Sequence, residues 1–162
     1  MKMRSRWSIG FAVAVVALVG WLVNGALAAG DDSRLTLRIQ PTENEFVTQT
    51  GTTSSFPGHL SPGDRALSRD ALISGSTVVG YDNELCTATL DNNDYCEVTL
   101  VLSGKGQIQA SWLWIGRNGS LYGPPSFSGV IVGGTGAYSS AHGQFDAEVL
   151  PNGQLQLSAA LR

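Results

Sequence analysis

Histidine is nearly missing from this chain: His59 and His142 are the only two in 162 residues, and neither has a second His, Cys or carboxylate at ligand spacing. That excludes a metal site built from sequence-local ligands. No Gly-x-Ser-x-Gly elbow, phosphate loop or dinucleotide fingerprint occurs, and no helix carrying a lysine follows Gly133–Gly136. The sequence therefore offers no nucleophile elbow, phosphate cradle or cofactor motif. Charge is scarce, at 14 % of residues, and once Lys2, Arg4 and Arg6 are set aside seven basic residues face thirteen acidic ones. A surface of that sign repels phosphate backbones and anionic headgroups, which argues against nucleic-acid binding and peripheral membrane docking. Helical periodicity is also sparse beyond residue 30, so little is available to cover a sheet.

What is present begins with a distinct leader. Lys2, Arg4 and Arg6 precede an apolar run from Ile9 to Val23, and Ala26-Leu27-Ala28 supplies a small-x-small cleavage pattern. The pattern predicts a signal peptide over 1–28, cut after Ala28, and a single domain over 29–162 that is secreted or held at the cell surface. The alternative is an uncleaved anchor, since Trp7 to Ala29 holds enough apolar residues to cross a bilayer core, and that segment is the one expected membrane contact. In an oxidising compartment Cys86 and Cys96 are expected to pair. A hairpin turning on Asp91-Asn92-Asn93-Asp94 with Leu90 opposite Tyr95 sets them out of register, so the bond needs a bulge or a longer turn.

From Leu35 the period is two. Leu35, Leu37 and Ile39 alternate with Thr36, Arg38 and Gln40, until Pro41 interrupts and Glu43 to Thr50 continues more weakly. Gly51 to Pro62 reads as a long loop. Further strands are expected over 64–73, 77–90, 95–102, 107–115, 127–132, 143–150 and 154–161. They are separated by Ser74-Gly75, the Asp/Asn cluster, Ser103-Gly104-Lys105-Gly106, Asn118-Gly119, the glycine-rich stretch 133–143 and Asn152-Gly153. Glycine and Asn-Gly supply the positive φ that tight hairpins require. Each strand has one apolar face to bury; Ile108, Ala110, Trp112 and Trp114 show it most cleanly. An eight-stranded antiparallel β-barrel hides all these faces and removes sheet edges, with a β-sandwich as the alternative.

Gly133-Gly134-Thr135-Gly136-x-Tyr138-x-x-Ala141-x-Gly143 resembles the signature turn of the allene oxide cyclase and dirigent-like barrel superfamily. Pro62-Gly63-Asp64-Arg65, Asp70-Ala71-Leu72, Val79-Gly80, Leu85-Cys86 and Gly106-Gln107-Ile108 follow in the order seen in its bacterial members. The resemblance covers about Leu35 to Arg162. It implies a small barrel that acts without a cofactor on a hydrophobic molecule of polyene, polyketide or phenolic type, as [4+2] cyclases and dirigent proteins do, in a superfamily that includes dimers and trimers; the alternative is a non-catalytic secreted barrel that binds a lipid or metabolite or is purely structural. The plant cyclase pattern has an amide where this chain has Asp70, a cysteine matching Cys86 and a tyrosine where this chain has Trp114; its first-strand glutamate has no clear counterpart. Allene oxide cyclisation itself is thus not the expected reaction. An inward Asp70 would be desolvated and able to act as general acid or base, unless Arg65, Arg69 or another strand's arginine pairs with it. Trp112 and Trp114 would form a rigid wall or plain core, and Tyr122, beside Gly123-Pro124-Pro125, would line the mouth. Cys86 would either touch substrate or, bonded to Cys96, be structural. His142 is expected on the surface.

Overall fold

The computed structural model describes residues 33–55, 57, 60–115 and 124–162. The leader, His59, the Asn118-Gly119 turn and Tyr122 lie outside the described residues. Nine strands are formed: β1 (Ser33–Thr48), β2 (Gly51–Thr53), β3 (Arg65–Ser74), β4 (Thr77–Ala88), β5 (Asp94–Leu102), β6 (Gly106–Trp114), β7 (Ser126–Gly134), β8 (Gly143–Val149) and β9 (Leu155–Leu161). β1 and β3 to β9 run in chain order, each antiparallel to its neighbours. The last returns to the first, with Ser33 opposite Leu161 and Ile39 opposite Leu155. This pairing closes the sheet into an eight-stranded barrel and excludes the sandwich.

Two details differ from the sequence reading. The chain does not break at Pro41 but forms one strand, Ser33–Thr48, whose register shifts between Gln40 and Glu43. A bulge accommodates a residue that has no amide to donate. It also flips the inward set from Leu37 and Ile39 to Phe46, which is why the alternation fades beyond Gln40. The stretch 51–62 is likewise not all loop, because β2 folds back on the end of β1, with Thr48 opposite Gly51.

Asp64, in the Pro-Gly-Asp-Arg block, secures the connection that follows. Its carboxylate accepts the Gln49 amide at 3.1 Å and the Ser61 amide at 2.8 Å, while its carbonyl accepts the Ala88 amide at 2.8 Å. Cys86 stands directly opposite Cys96 and the two are bonded, Cα to Cα 4.0 Å. Of the two arrangements that allow the bond, a bulge or a longer turn, the chain takes the longer turn over residues 89–93, so Thr87 and not Leu90 faces Tyr95. Asp91 and Asn92 take positive φ of 62° and 56° inside that turn, a conformation these two residue types tolerate best after glycine.

The interior is filled by Leu37, Leu72, Leu100, Ile108, Phe145 and their neighbours. The glycine-rich stretch closes one end. Ala137 donates to the Lys105 carbonyl at 2.7 Å and Thr135 to the Gln107 carbonyl at 2.9 Å, docking the turn on the β5–β6 connection. A Cβ on Gly136 would collide with the Lys105 carbonyl, and its φ of +63° is itself one that side-chain-bearing residues avoid. With β6 running from Gly106 at this end to Trp114 at the other, the turn stops the barrel at the end remote from Trp114.

Candidate functional site

The opposite end is open inside. A cavity there offers about 90 Å³ to the centre of a water-sized sphere, and a smaller recess of about 40 Å³ shares Asn44, Ser68, Glu84 and Trp114 with it. The cavity wall combines Ile39, Pro41 and Leu155 with Asp70, Glu84 and Gln154, and on the facing side Trp114 and Phe127. A water needs roughly 10–15 Å³ by this measure, so there is room for a small organic group.

Asp70 is held there by the bulge of β1. Because the register slips between Gln40 and Glu43, the Thr42 amide turns from the ladder to the carboxylate and donates to it at 2.8 Å. The Ser68 hydroxyl adds a second bond, and both partners are neutral. Arg69 does not pair with Asp70; its guanidinium lies over the Tyr81 ring, 4.1 Å from the centroid. Burial raises the Asp70 pKa above its ordinary value, the Thr42, Ser68 and Glu43 hydrogen bonds oppose that, and the Glu43 charge adds to it.

The register running through Ser68↔Glu84 and Ala71↔Tyr81 sets Asp82 across from Asp70. Asp82 is completely buried, with 0 % exposure. One carboxylate oxygen accepts the Asp70 amide at 3.0 Å, and the other has no partner among the described residues. Desolvation, then the neighbouring Asp70 charge, push its pKa up to about 7, against the stabilising amide bond. Two carboxyls facing each other across paired strands influence each other's titration, and the pair gives up its last proton well above the ordinary carboxylate range.

The other wall is aromatic. Trp112 stacks on Phe127 at 5.3 Å and meets Trp114 edge-on at 5.9 Å and Phe145 at 5.8 Å; Trp114 meets Phe127 at 5.5 Å. Such offset and edge contacts fix each ring's orientation. Trp114 and Phe127 reach the cavity, whereas Trp112 sits behind them with its indole N–H buried and without a hydrogen-bond partner among the described residues. At the rim, the Gln154 side chain donates to Gln40 at 2.6 Å and accepts from Asn152 at 3.0 Å, which holds a buried amide at the β8–β9 turn.

Of the residues singled out from sequence, Asp70, Trp112 and Trp114 converge on this end, and Cys86 lines the smaller recess as half of a disulfide. Glu84 and the two sulfurs lie within 4.8 Å of one another, yet bonded sulfurs offer no thiolate, so this cluster is not a metal centre. His142 is exposed on the glycine turn at the remote end, its Nδ1 2.8 Å from the Ser140 carbonyl. Asp82 and Glu84 were missed by sequence reasoning. Their signal was parity: they lie four and two positions before Cys86 and share its face.

No family model matches this chain, and no curated protein matches it. Solved structures do. A pyocyanin demethylase aligns with TM-score 0.62 at 22 % identity over 80 % of this chain and 100 % of its own. The Diels Alderase AbmU from Streptomyces koyangensis aligns at 0.60 and 16 % identity over 80 % of this chain and 63 % of its own. The pterocarpan synthase dirigent protein GePTS1 aligns at 0.52 and 16 % identity over 83 % and 87 %. At these identities the shared property is the fold, that of the cyclase and dirigent barrels.

Proposed function

We propose that this barrel binds a hydrophobic small molecule with a conjugated skeleton, of polyene, polyketide or phenolic type, and steers its cyclisation or stereoselective coupling. The observation carrying this reading is the cavity itself, which sets a buried carboxyl, Asp70, against the rings of Trp114 and Phe127. Holding reacting carbons at contact distance can lower a barrier by several kcal/mol, on the order of 7 or more in the best cases, by removing orientational freedom. Asp70, its pKa raised by burial, would donate or accept one proton or hydrogen bond as charge develops. No cofactor is needed for such work. That solved cyclase and dirigent proteins share the fold agrees with this use, although fold likeness alone does not assign it. The proposal also places the protein outside the cytoplasm. Its buried disulfide suits an oxidising compartment, and among the described residues no helix is long and apolar enough to cross a membrane.

The test uses tryptophan emission. In a chain carrying Trp7→Phe and Trp21→Phe, the remaining tryptophans are Trp112 and Trp114. Titration with a panel of conjugated hydrophobic molecules should give saturable quenching or a spectral shift, and Asp70→Asn should abolish any cyclised or coupled product while uncharged members of the panel still bind. Blue emission unchanged across the panel would mean a barrel packed solid, and a purely structural role would replace this reading.

A further inference from the structure

Resting on that reading, we infer that the ligand selected by this cavity carries a positive charge on its conjugated rings, as an N-heteroaromatic or aryl-ammonium cation does, and that carboxylate-bearing isosteres are rejected. Among the described residues every charged side chain lining the cavity is acidic, Asp70 and Glu84, and no lysine, arginine or histidine lines it. Asp82 stands across from Asp70 on the neighbouring strand, fully buried, with one oxygen unpartnered among the described residues. Glu43 on β1 adds negative potential, and the residue paired with Asp82 on β5, Leu100, offers no compensating charge. Two arginines on the surrounding strands have other partners: Arg69 lies over Tyr81, and Arg38 donates to the Gly75 carbonyl and the Gln154 amide oxygen.

Negative potential on one side and aromatic rings on the other are the two halves of a site for organic cations. Carboxylates supply the charge, while Trp114 and Phe127 offer surfaces that attract a delocalised cation and exclude water from it. Inside such a cavity salt screens little, so the preference persists at physiological ionic strength. An anionic ring system would meet the same carboxylates with the opposite sign and find no cation among the described wall residues. A permanent cation entering would also favour ionisation of the buried Asp82 carboxyl opposite Asp70 and release of the proton it holds.

Three bicyclic ligands of one shape separate the possibilities: N-methylquinolinium, 1-methylnaphthalene and 1-naphthoate, titrated calorimetrically into the full chain at pH 7. The expected result is about tenfold tighter binding of the quinolinium than of the neutral ring, with no heat from the naphthoate. Repeating the titration in two buffers of different ionisation enthalpy should show proton release with the quinolinium and none with the neutral ring, a readout that needs no variant. Asp70→Asn, its fold verified by near-ultraviolet circular dichroism, should bring cation and neutral affinities within about threefold of each other. Equal binding of all three, or a cation preference that Asp70→Asn leaves unchanged without proton release in the parent, would overturn the inference while leaving the open-cavity reading intact. Absence of binding by any of them would overturn both.

Discussion

Asp82 makes a prediction about stability against pH. In the unfolded chain its carboxyl ionises with the ordinary pKa of 3.8, whereas in the barrel burial and Asp70 lift it to about 7. The folded state therefore holds a proton that the unfolded state has released across the interval between those values. Its contribution to stability is fully present below about pH 4 and is lost as pH rises through 7. At about 1.4 kcal/mol per pKa unit the interval corresponds to about 4 kcal/mol, and relaxation with water entry leaves a net of roughly 2–4 kcal/mol. Asp82→Asn keeps the oxygen that accepts the Asp70 amide and removes the titration. The variant should match the parent near pH 4 and exceed it at pH 8. With a urea m-value of about 1–3 kcal/mol/M, the unfolding midpoint should separate by about 1–2 M at pH 8 under conditions that keep the disulfide oxidised. Parallel pH profiles for the two proteins between pH 4 and 8, by urea unfolding followed with circular dichroism, would show that Asp82 ionises normally and that the charge argument fails.

Three further outcomes follow from the frame around the site. Gly136→Ala, at φ +63° and against the Lys105 carbonyl, should cost about 1–3 kcal/mol in urea unfolding yet leave ligand affinity in the calorimeter unchanged, because its turn closes the remote end. Asp64→Ala strips acceptors from the Gln49 and Ser61 amides and should cost about 2–4 kcal/mol, with faster hydrogen exchange at both amides. Replacing Cys86 and Cys96 together by serine opens a loop with a sequence separation of 10. The loss expected for so short a loop is about 3 kcal/mol, read as a lowered melting temperature.

Architecture was legible where the chain obeys one period. Ile108, Ala110, Trp112 and Trp114 alternate without interruption, and the structure puts all four inside. Reading failed where a bulge changes parity. After Gln40 the inward residue becomes Phe46, and no count by twos from Leu37 arrives there. The turn at 89–93 stayed open between two lengths for a related reason: an Asp/Asn cluster marks a turn but not its length, and the facing of Thr87 with Tyr95 brings the cysteines level. Asp82 was hidden differently. Acidic residues are ordinarily placed on the solvent side of a strand, and a buried one is visible only if the strand's parity is taken from Cys86 instead of from polarity.

These particulars explain why the most recognisable motif says least about chemistry. Gly133 to Gly143 needs its glycines to let two turns approach backbone to backbone, a requirement that any barrel stoppered in this way would share. The carboxyls at the other end meet no such geometric demand. Burying Asp82 without a cation costs folding energy that a leucine at the same position would not, and the Pro41 bulge turns the Thr42 amide away from the ladder to serve Asp70. Features that lower stability and recur in one cavity are expected of a site rather than of a scaffold. The division runs along the barrel axis, with closure at the glycine turn and acidic side chains beside Trp114. Substitutions that change what this protein binds should therefore cluster on β3, β4 and the Pro41 bulge, and those at the glycine turn should change only whether it folds.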